Sequence, residues 1–154
     1  IIPFIGVHAL DLIRWTTGEE FTEVMAYHGN TGHPEAGDME DQAVLSLKLS
    51  GGGSADVRLD YCRPRGAPTH GDDRLRVAGS YGVVEAMSGR VVLITQEEGP
   101  RELLLPEPGN AFVDFVESLR TGRPFGVPQE DAFRITEVVL KARASAETGR
   151  PVRL

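Results

Sequence analysis

His8 and Asp11 stand three residues apart near the start of the chain, in a stretch whose apolar positions recur with helical spacing. Side chains three apart share one face of a helix. An imidazole titrates near neutral pH, so a positioned His8 could take a proton from an alcohol or return one. A second group of reactive residue types runs from Tyr61-Cys62-Arg63-Pro64 through His70-Gly71-Asp72-Asp73-Arg74. Aromatic, cationic and anionic groups are mixed there in one loop. Such a mixture offers donors and acceptors together, as a polyhydroxylated ligand requires. Spacing alone leaves two plainer alternatives open: a helix-start histidine satisfied by backbone, and a solvated loop laced with surface ion pairs.

Other chemistries lack their residues. Gly51-Gly52-Gly53 and Gly79-Ser80-Tyr81-Gly82 fall between expected strands, whereas a phosphate cradle needs a helix N-terminus, so both read as turns. There is no Gly-x-Ser-x-Gly elbow. Among His8, His28, His33 and His70, none has zinc-ligand spacing to another His or to the single cysteine, Cys62. A net charge of -7 disfavours nucleic acid and an anionic membrane as partners. One cysteine excludes an internal disulfide and points to a reducing compartment, the cytoplasm. No apolar run approaches the roughly 20 residues needed to span a bilayer. The start, Ile1-Ile2-Pro3-Phe4, reads as a cut through a longer protein rather than a signal peptide.

The elements that must position these residues follow from periodicity. Val7, Leu10 and Ile13, with Ala9 and Leu12, are spaced for the buried face of a first helix that stops at Gly18. Phe21 to Tyr27 reads as a strand and Asn30 to Asp41 as a polar loop. Ala43–Leu49 and Ala55–Tyr61 alternate, and Ser50-Gly51-Gly52-Gly53 joins them as a hairpin. Leu75–Ala78, Val83–Met87 and Val91–Thr95 are further strands, with Arg101–Leu105 as a possible addition. Asn110 caps a helix with a Phe112, Phe115, Val116 and Leu119 stripe, which Gly122 and Pro124 stop. A last helix, about Glu130 to Thr148, turns Ile135, Val138, Val139, Ala142 and Ala146 inward.

One helix, a block of strands, then two helices argue an α+β fold: an open, mostly antiparallel sheet with helices packed on one face. Alternating strands bury one face each, which leaves the other solvated or covered by something else. The 154 residues, 40% hydrophobic and 25% charged, suit one folded domain.

The same residues carry a family resemblance. Gly6-Val7-His8-Ala9-Leu10-Asp11-Leu12-Ile13-Arg14-Trp15, then Gly18 and Glu23-Val24, resemble the opening of the C-terminal domain of the Gfo/Idh/MocA oxidoreductases, the glucose–fructose oxidoreductase and inositol dehydrogenase relatives. Glu40-Asp41, the Gly-rich hairpin, Val77-Ala78-Gly79 with Gly82-Val83-Val84-Glu85, and Ser145-Ala146 to Gly149-Arg150-Pro151-Val152 fall in that family's order. The resemblance implies a substrate-binding and oligomerisation domain whose active site faces a dinucleotide-binding domain absent from this chain. It implies NAD or NADP bound by that other half, none bound by this chain alone, and oxidation or reduction of a sugar or cyclitol hydroxyl. It implies that His8 matches the active-site histidine, and that the uncovered sheet face is often an oligomer interface, here of a homodimer. Asp11, Tyr61, Arg63, His70, Asp72 and Arg74 are the expected substrate contacts. One position departs from the pattern: the family commonly places an Asp four residues before the histidine, where this chain has Phe4. The alternative is therefore a non-catalytic relative serving ligand sensing or assembly.

Overall fold

From the N-terminus the elements are α1 (Ile2–Thr17), β1 (Phe21–Gly29), a 3-10 turn at Pro34–Ala36, β2 (Gln42–Leu49), β3 (Ser54–Asp60), β4 (Arg74–Ala78), β5 (Gly82–Met87), β6 (Arg90–Thr95), β7 (Arg101–Glu102), α2 (Ala111–Thr121), α3 (Gln129–Thr148) and β8 (Val152–Arg153). The computed structural model describes residues 1–154. The chain divides into two units, Ile1–Arg65 with Val127–Leu154, and Gly66–Gly126.

The first unit is built on an antiparallel sheet in the order β3-β2-β1-β8. Alternation does what the sequence predicts. Ala43, Leu45, Leu47, Val57 and Leu59 are buried with Val24 and Ala26 of β1. The β2–β3 hairpin closes through Gly52, whose φ of 89° is a left-handed conformation that a side chain would strain. α1 and α3 cover the apolar face. α1 buries Ile2, Gly6, Leu10 and Ile13, and α3 buries Ile135, Val138, Val139, Ala142 and Ser145. A Cβ on Gly6 would come within 3.3 Å of Leu59 and 3.7 Å of Val139, so glycine lets α1 lie close on both sheet and helix. Arg14 bridges to Asp131 at 2.7 Å. With Gly6 beside Val139, this makes α1 and α3 antiparallel. Each fully buried Leu or Val contributes about 1.5–3 kcal/mol.

The other face of this sheet is mainly polar, with Tyr27 opposite Val44 as its apolar pair. Ser46 donates to Asp56 at 2.7 Å, Arg58 to Gln42 at 3.2 Å, and Lys48 pairs with Glu23 at 2.6 Å.

The second unit is an antiparallel meander, β4-β5-β6-β7. Register places Leu75 opposite Ala86, Val77 opposite Val84, Ala86 opposite Val91 and Val84 opposite Leu93, so one face is apolar across β4–β6, with Arg101 of β7 opposite Leu93 at its edge. The other face mixes the Arg76–Glu85 and Arg90–Glu102 pairs with Val83, Val92, Ile94 and Met87. Most apolar side chains of β4–β6 are half-buried, and the uncovered face of the first sheet sets Tyr27 and Val44 among its polar groups.

The α+β class, the open antiparallel pairing and the helices on one face of the first sheet are as the sequence predicts. The strands nevertheless form two ladders rather than one block. The Tyr61–Asp73 segment between β3 and β4 contains Pro64 and Pro68, which have no N–H to give a ladder. β7 is shorter than the Arg101–Leu105 run suggests, and β8, which pairs Val152 with Val24, was not expected from its two residues. No helix is long and apolar enough to cross a membrane.

Candidate functional site

The outer face of α1 carries the residues best placed for chemistry. Phe4, His8, Asp11 and Trp15 recur at helical spacing and all are exposed, opposite buried Ile2, Gly6, Leu10 and Ile13. Phe4 is 74% and Trp15 78% exposed, so an aromatic ring flanks the imidazole and carboxylate on each side. At 1.5 Å per residue the stripe is about 16 Å long. Its backing is firm. Gly18 ends the helix in a left-handed conformation with its N–H on the Arg14 carbonyl, and the Arg14 guanidinium reaches both Glu20 and Asp131 at 2.7 Å. The two carboxylates hold the Arg14 pKa above its ordinary value, led by the Glu20 hydrogen bond and opposed by partial burial. Arg14 holds the Glu20 carboxyl below its own usual range.

The loop candidates divide between the two units. Tyr61 and Arg63 follow β3 in the first and are half-buried. The Tyr61 N–H donates to the Asp41 carbonyl at 2.9 Å, and its own carbonyl lies 3.3 Å from His33 Nε2. His70, Asp72 and Arg74 belong to the second unit and are exposed. Arg74 forks onto Asp72 with two 3.0 Å bonds, so each is engaged with the other, and the Arg74 pKa is raised by that bond. The structure thus brings together His8 with Asp11 on one helical face, and Asp72 with Arg74 in one ion pair.

Sequence reasoning missed the centre of the Asn30–Asp41 loop. Asp41 is fully buried, and its carboxylate accepts the N–H groups of Thr31 at 3.2 Å, Gly32 at 2.5 Å and His33 at 2.8 Å. Burial opposes its charge, but the three donors outweigh it and hold the carboxyl below the usual aspartate range. The His33 imidazole is pushed up, first by the Tyr61 carbonyl and then by Glu35. Glu40, beside Asp41, lies 3.2 Å from His28. Nothing in the spacing marked Asp41 as a hub, because its partners are backbone groups made convergent only by the folded loop.

A shallow hollow in the second unit is lined by Asn110, Val113, Asp114, Glu117 and Arg123 and holds none of the candidate residues; its Arg123 is already paired with Asp114. No three His, Cys, Asp or Glu side chains are grouped to hold a metal ion. Both glycine-rich stretches join strand to strand, β2 to β3 and β4 to β5. Neither presents a helix N-terminus to a pyrophosphate.

A model of the GFO/IDH/MocA C-terminal domain matches residues 1–85, a span that includes every candidate from His8 to Arg74. The chain belongs to the GFO/IDH/MocA family. Solved structures of this type match over its whole length. A Thermotoga maritima protein described as an oxidoreductase is 41% identical, with a TM-score of 0.96 over 100% of this chain and 47% of its own. The aldose-aldose oxidoreductase of Caulobacter crescentus, solved with glycerol, is 25% identical with a TM-score of 0.81 over 97% of this chain and 46% of its own. An Agrobacterium radiobacter oxidoreductase, solved with NAD+, L-tartaric acid and magnesium, shares the fold at 19% identity and a TM-score of 0.80, over 99% of this chain and 48% of its own. The chain spans about half the length of these structures. No curated protein matches it.

Proposed function

We propose that this chain is the substrate-side half of an NAD- or NADP-dependent oxidoreductase that acts on a sugar or cyclitol hydroxyl, and that it is inactive without a dinucleotide-binding half. The observation that carries the reading is His8, exposed mid-way along the α1 stripe of a GFO/IDH/MocA chain. An imidazole so placed takes the hydroxyl proton as the carbinol is oxidised, or returns it on reduction. Asp11, less than one turn on, accepts hydrogen bonds from neighbouring hydroxyls. Tyr61 and Arg63, and in the second unit His70, Asp72 and Arg74, are the further substrate contacts in this reading. The nicotinamide, which the other half holds, supplies the hydride chemistry.

The test uses the polypeptide that carries both halves. His8→Asn lowers turnover by about a hundredfold or more while folding and dinucleotide binding persist. A fall of less than about threefold, far below a general-base effect, removes the proton-transfer role. Titration calorimetry on the 154-residue chain gives no nicotinamide binding; micromolar affinity would overturn the division of labour.

A second reading, a non-catalytic relative serving ligand sensing or assembly, draws on Phe4, which puts a ring where the family commonly has a carboxylate. In either reading we propose a homodimer through an open sheet face. The apolar face of β4–β6 supports it, since α2, the one helix of that unit, does not pack extensively on those strands. A clean monomer in sedimentation at about tens of micromolar would rule this out.

A further inference from the structure

The helix α2 turns most of its apolar side chains outward. Ser118 is its one buried residue, and Asp114, Val116 and Glu117 are half-buried. Phe112 is 73%, Phe115 43% and Leu119 69% exposed. Those three recur at the spacing of one helical stripe. Phe125 extends the stripe, with its ring edge-on to Phe115 at a centroid distance of 5.6 Å. An amphipathic helix normally turns its apolar stripe toward a core. Here the stripe has no core to face within its own unit, and a contiguous apolar patch rimmed by polar residues marks an interaction site.

We propose that the α2 stripe is the seat on which the other half of the two-domain polypeptide docks. This rests on the reading of the chain as one half of such a polypeptide. Two observations select that occupant. The Thermotoga maritima relative matches all of this chain, α2 included, with less than half of its own length. More than half of that chain therefore lies outside the matched fold. Area argues against a second copy of this chain. Two phenylalanines and a leucine at these exposures present on the order of 350 Å². Free partners need about 800 Å² each for a stable complex. A tethered domain meets its seat at an effective concentration of order millimolar, so a patch of this size suffices.

Hydroxyl-radical footprinting of the two-domain polypeptide, beside the 154-residue chain, tests the seat. Oxidation of Phe112 and Phe115 falls severalfold when the other half is present, and the protection is independent of protein concentration. The double variant Phe112→Ser, Leu119→Ser restores labelling of Phe115 in the two-domain polypeptide and splits its thermal unfolding into separate transitions. The same variant leaves the unfolding of the 154-residue chain unchanged, because those side chains are outside its core. Equal labelling of Phe112 and Phe115 in both proteins overturns the proposal, as does protection that vanishes on dilution, which assigns the stripe to a second copy. The readout requires no turnover, so a two-domain polypeptide that proves inactive refutes the oxidoreductase reading and still reports on the seat.

Discussion

The hydroxyl of Ser145 on α3 accepts the Ala26 N–H of β1 at 3.0 Å. It also donates to the Arg150 carbonyl at 2.6 Å. β1 needs this partner because β8 pairs only with Glu23 and Val24, so the edge N–H of Ala26 lies beyond the end of that ladder. One buried side chain thus joins the sheet, the last helix and the turn into β8. It also fixes α3, against which α1, the helix that carries His8, is packed.

Ser145→Ala therefore lowers stability by about 1–3 kcal/mol, the cost of leaving buried polar groups unpaired. Thr136→Ala, which removes an exposed hydroxyl bonded to the Ala132 carbonyl at 2.8 Å, changes stability by no more than about 0.5 kcal/mol. Urea unfolding of both variants checks the contrast, and equal losses would show that the Ser145 bridge is not a special contact.

The Asn30–Asp41 loop gives opposite pH dependences. The Asp41 carboxyl is lowered in the fold, so its contribution is complete above the ordinary aspartate value of about 3.9 and is lost as pH falls through its folded pKa. The His33 imidazole is raised, so its contribution is complete below about 6.5 and is lost as pH rises through its folded pKa. Stability measured between about pH 3 and pH 8 declines at both ends for this reason. Asp41→Asn flattens the acid limb and His33→Gln the alkaline one. The His33 limb is the shallower, since the ring is well exposed to solvent and its partners are screened. An acid limb unchanged by Asp41→Asn would assign it to other carboxylates.

Asn110 governs α2 more than a cap governs a packed helix. Its side-chain oxygen accepts from the Phe112 and Val113 N–H groups, both at 3.1 Å. α2 buries only Ser118 and has little packing to hold it. Asn110→Ala costs the helix about 1 kcal/mol, which raises amide exchange along Ala111–Thr121 roughly fivefold. Exchange in β1 and β2 stays as it was. Asn110→Asp retains the acceptor and the protection.

Periodicity carried the fold because the core is made by side chains that repeat. Leu45 and Leu47 alternate, Val57 and Leu59 alternate, and Ile135, Val138, Val139 and Ala142 recur at helical spacing; all are buried. What periodicity cannot show is what lies opposite a stripe. The Phe112, Phe115 and Leu119 pattern is as regular as that of α3 and faces outward. The hub at Asp41 was hidden for a related reason, since a carboxylate that serves three backbone N–H groups leaves no spacing rule in the sequence. His8 and Asp11 were legible as a shared face because three residues on a helix suffice to fix that relation. The division of Tyr61–Arg74 between two units was not legible, because it depends on where the strand ladder breaks.

Phe4 offers the sharpest test of the α1 stripe. It lies one turn before His8 on the same exposed face, where a carboxylate could accept a hydrogen bond from the imidazole and fix its tautomer, and a phenyl ring cannot. Being 74% exposed, it can be replaced without disturbing the core of α1. Phe4→Asp in the two-domain polypeptide keeps or raises turnover and moves the acid limb of the pH–rate profile to higher pH, because a neighbouring carboxylate favours the imidazolium. Phe4→Asn, which adds a polar side chain without charge, leaves that limb in place. A steep fall in turnover for Phe4→Asp and Phe4→Asn alike would show that the ring itself contacts substrate. If the unaltered polypeptide and Phe4→Asp both bind dinucleotide and neither turns over any sugar or cyclitol, orientation of His8 is not the missing element. The stripe then belongs to a protein that uses this fold for sensing or assembly.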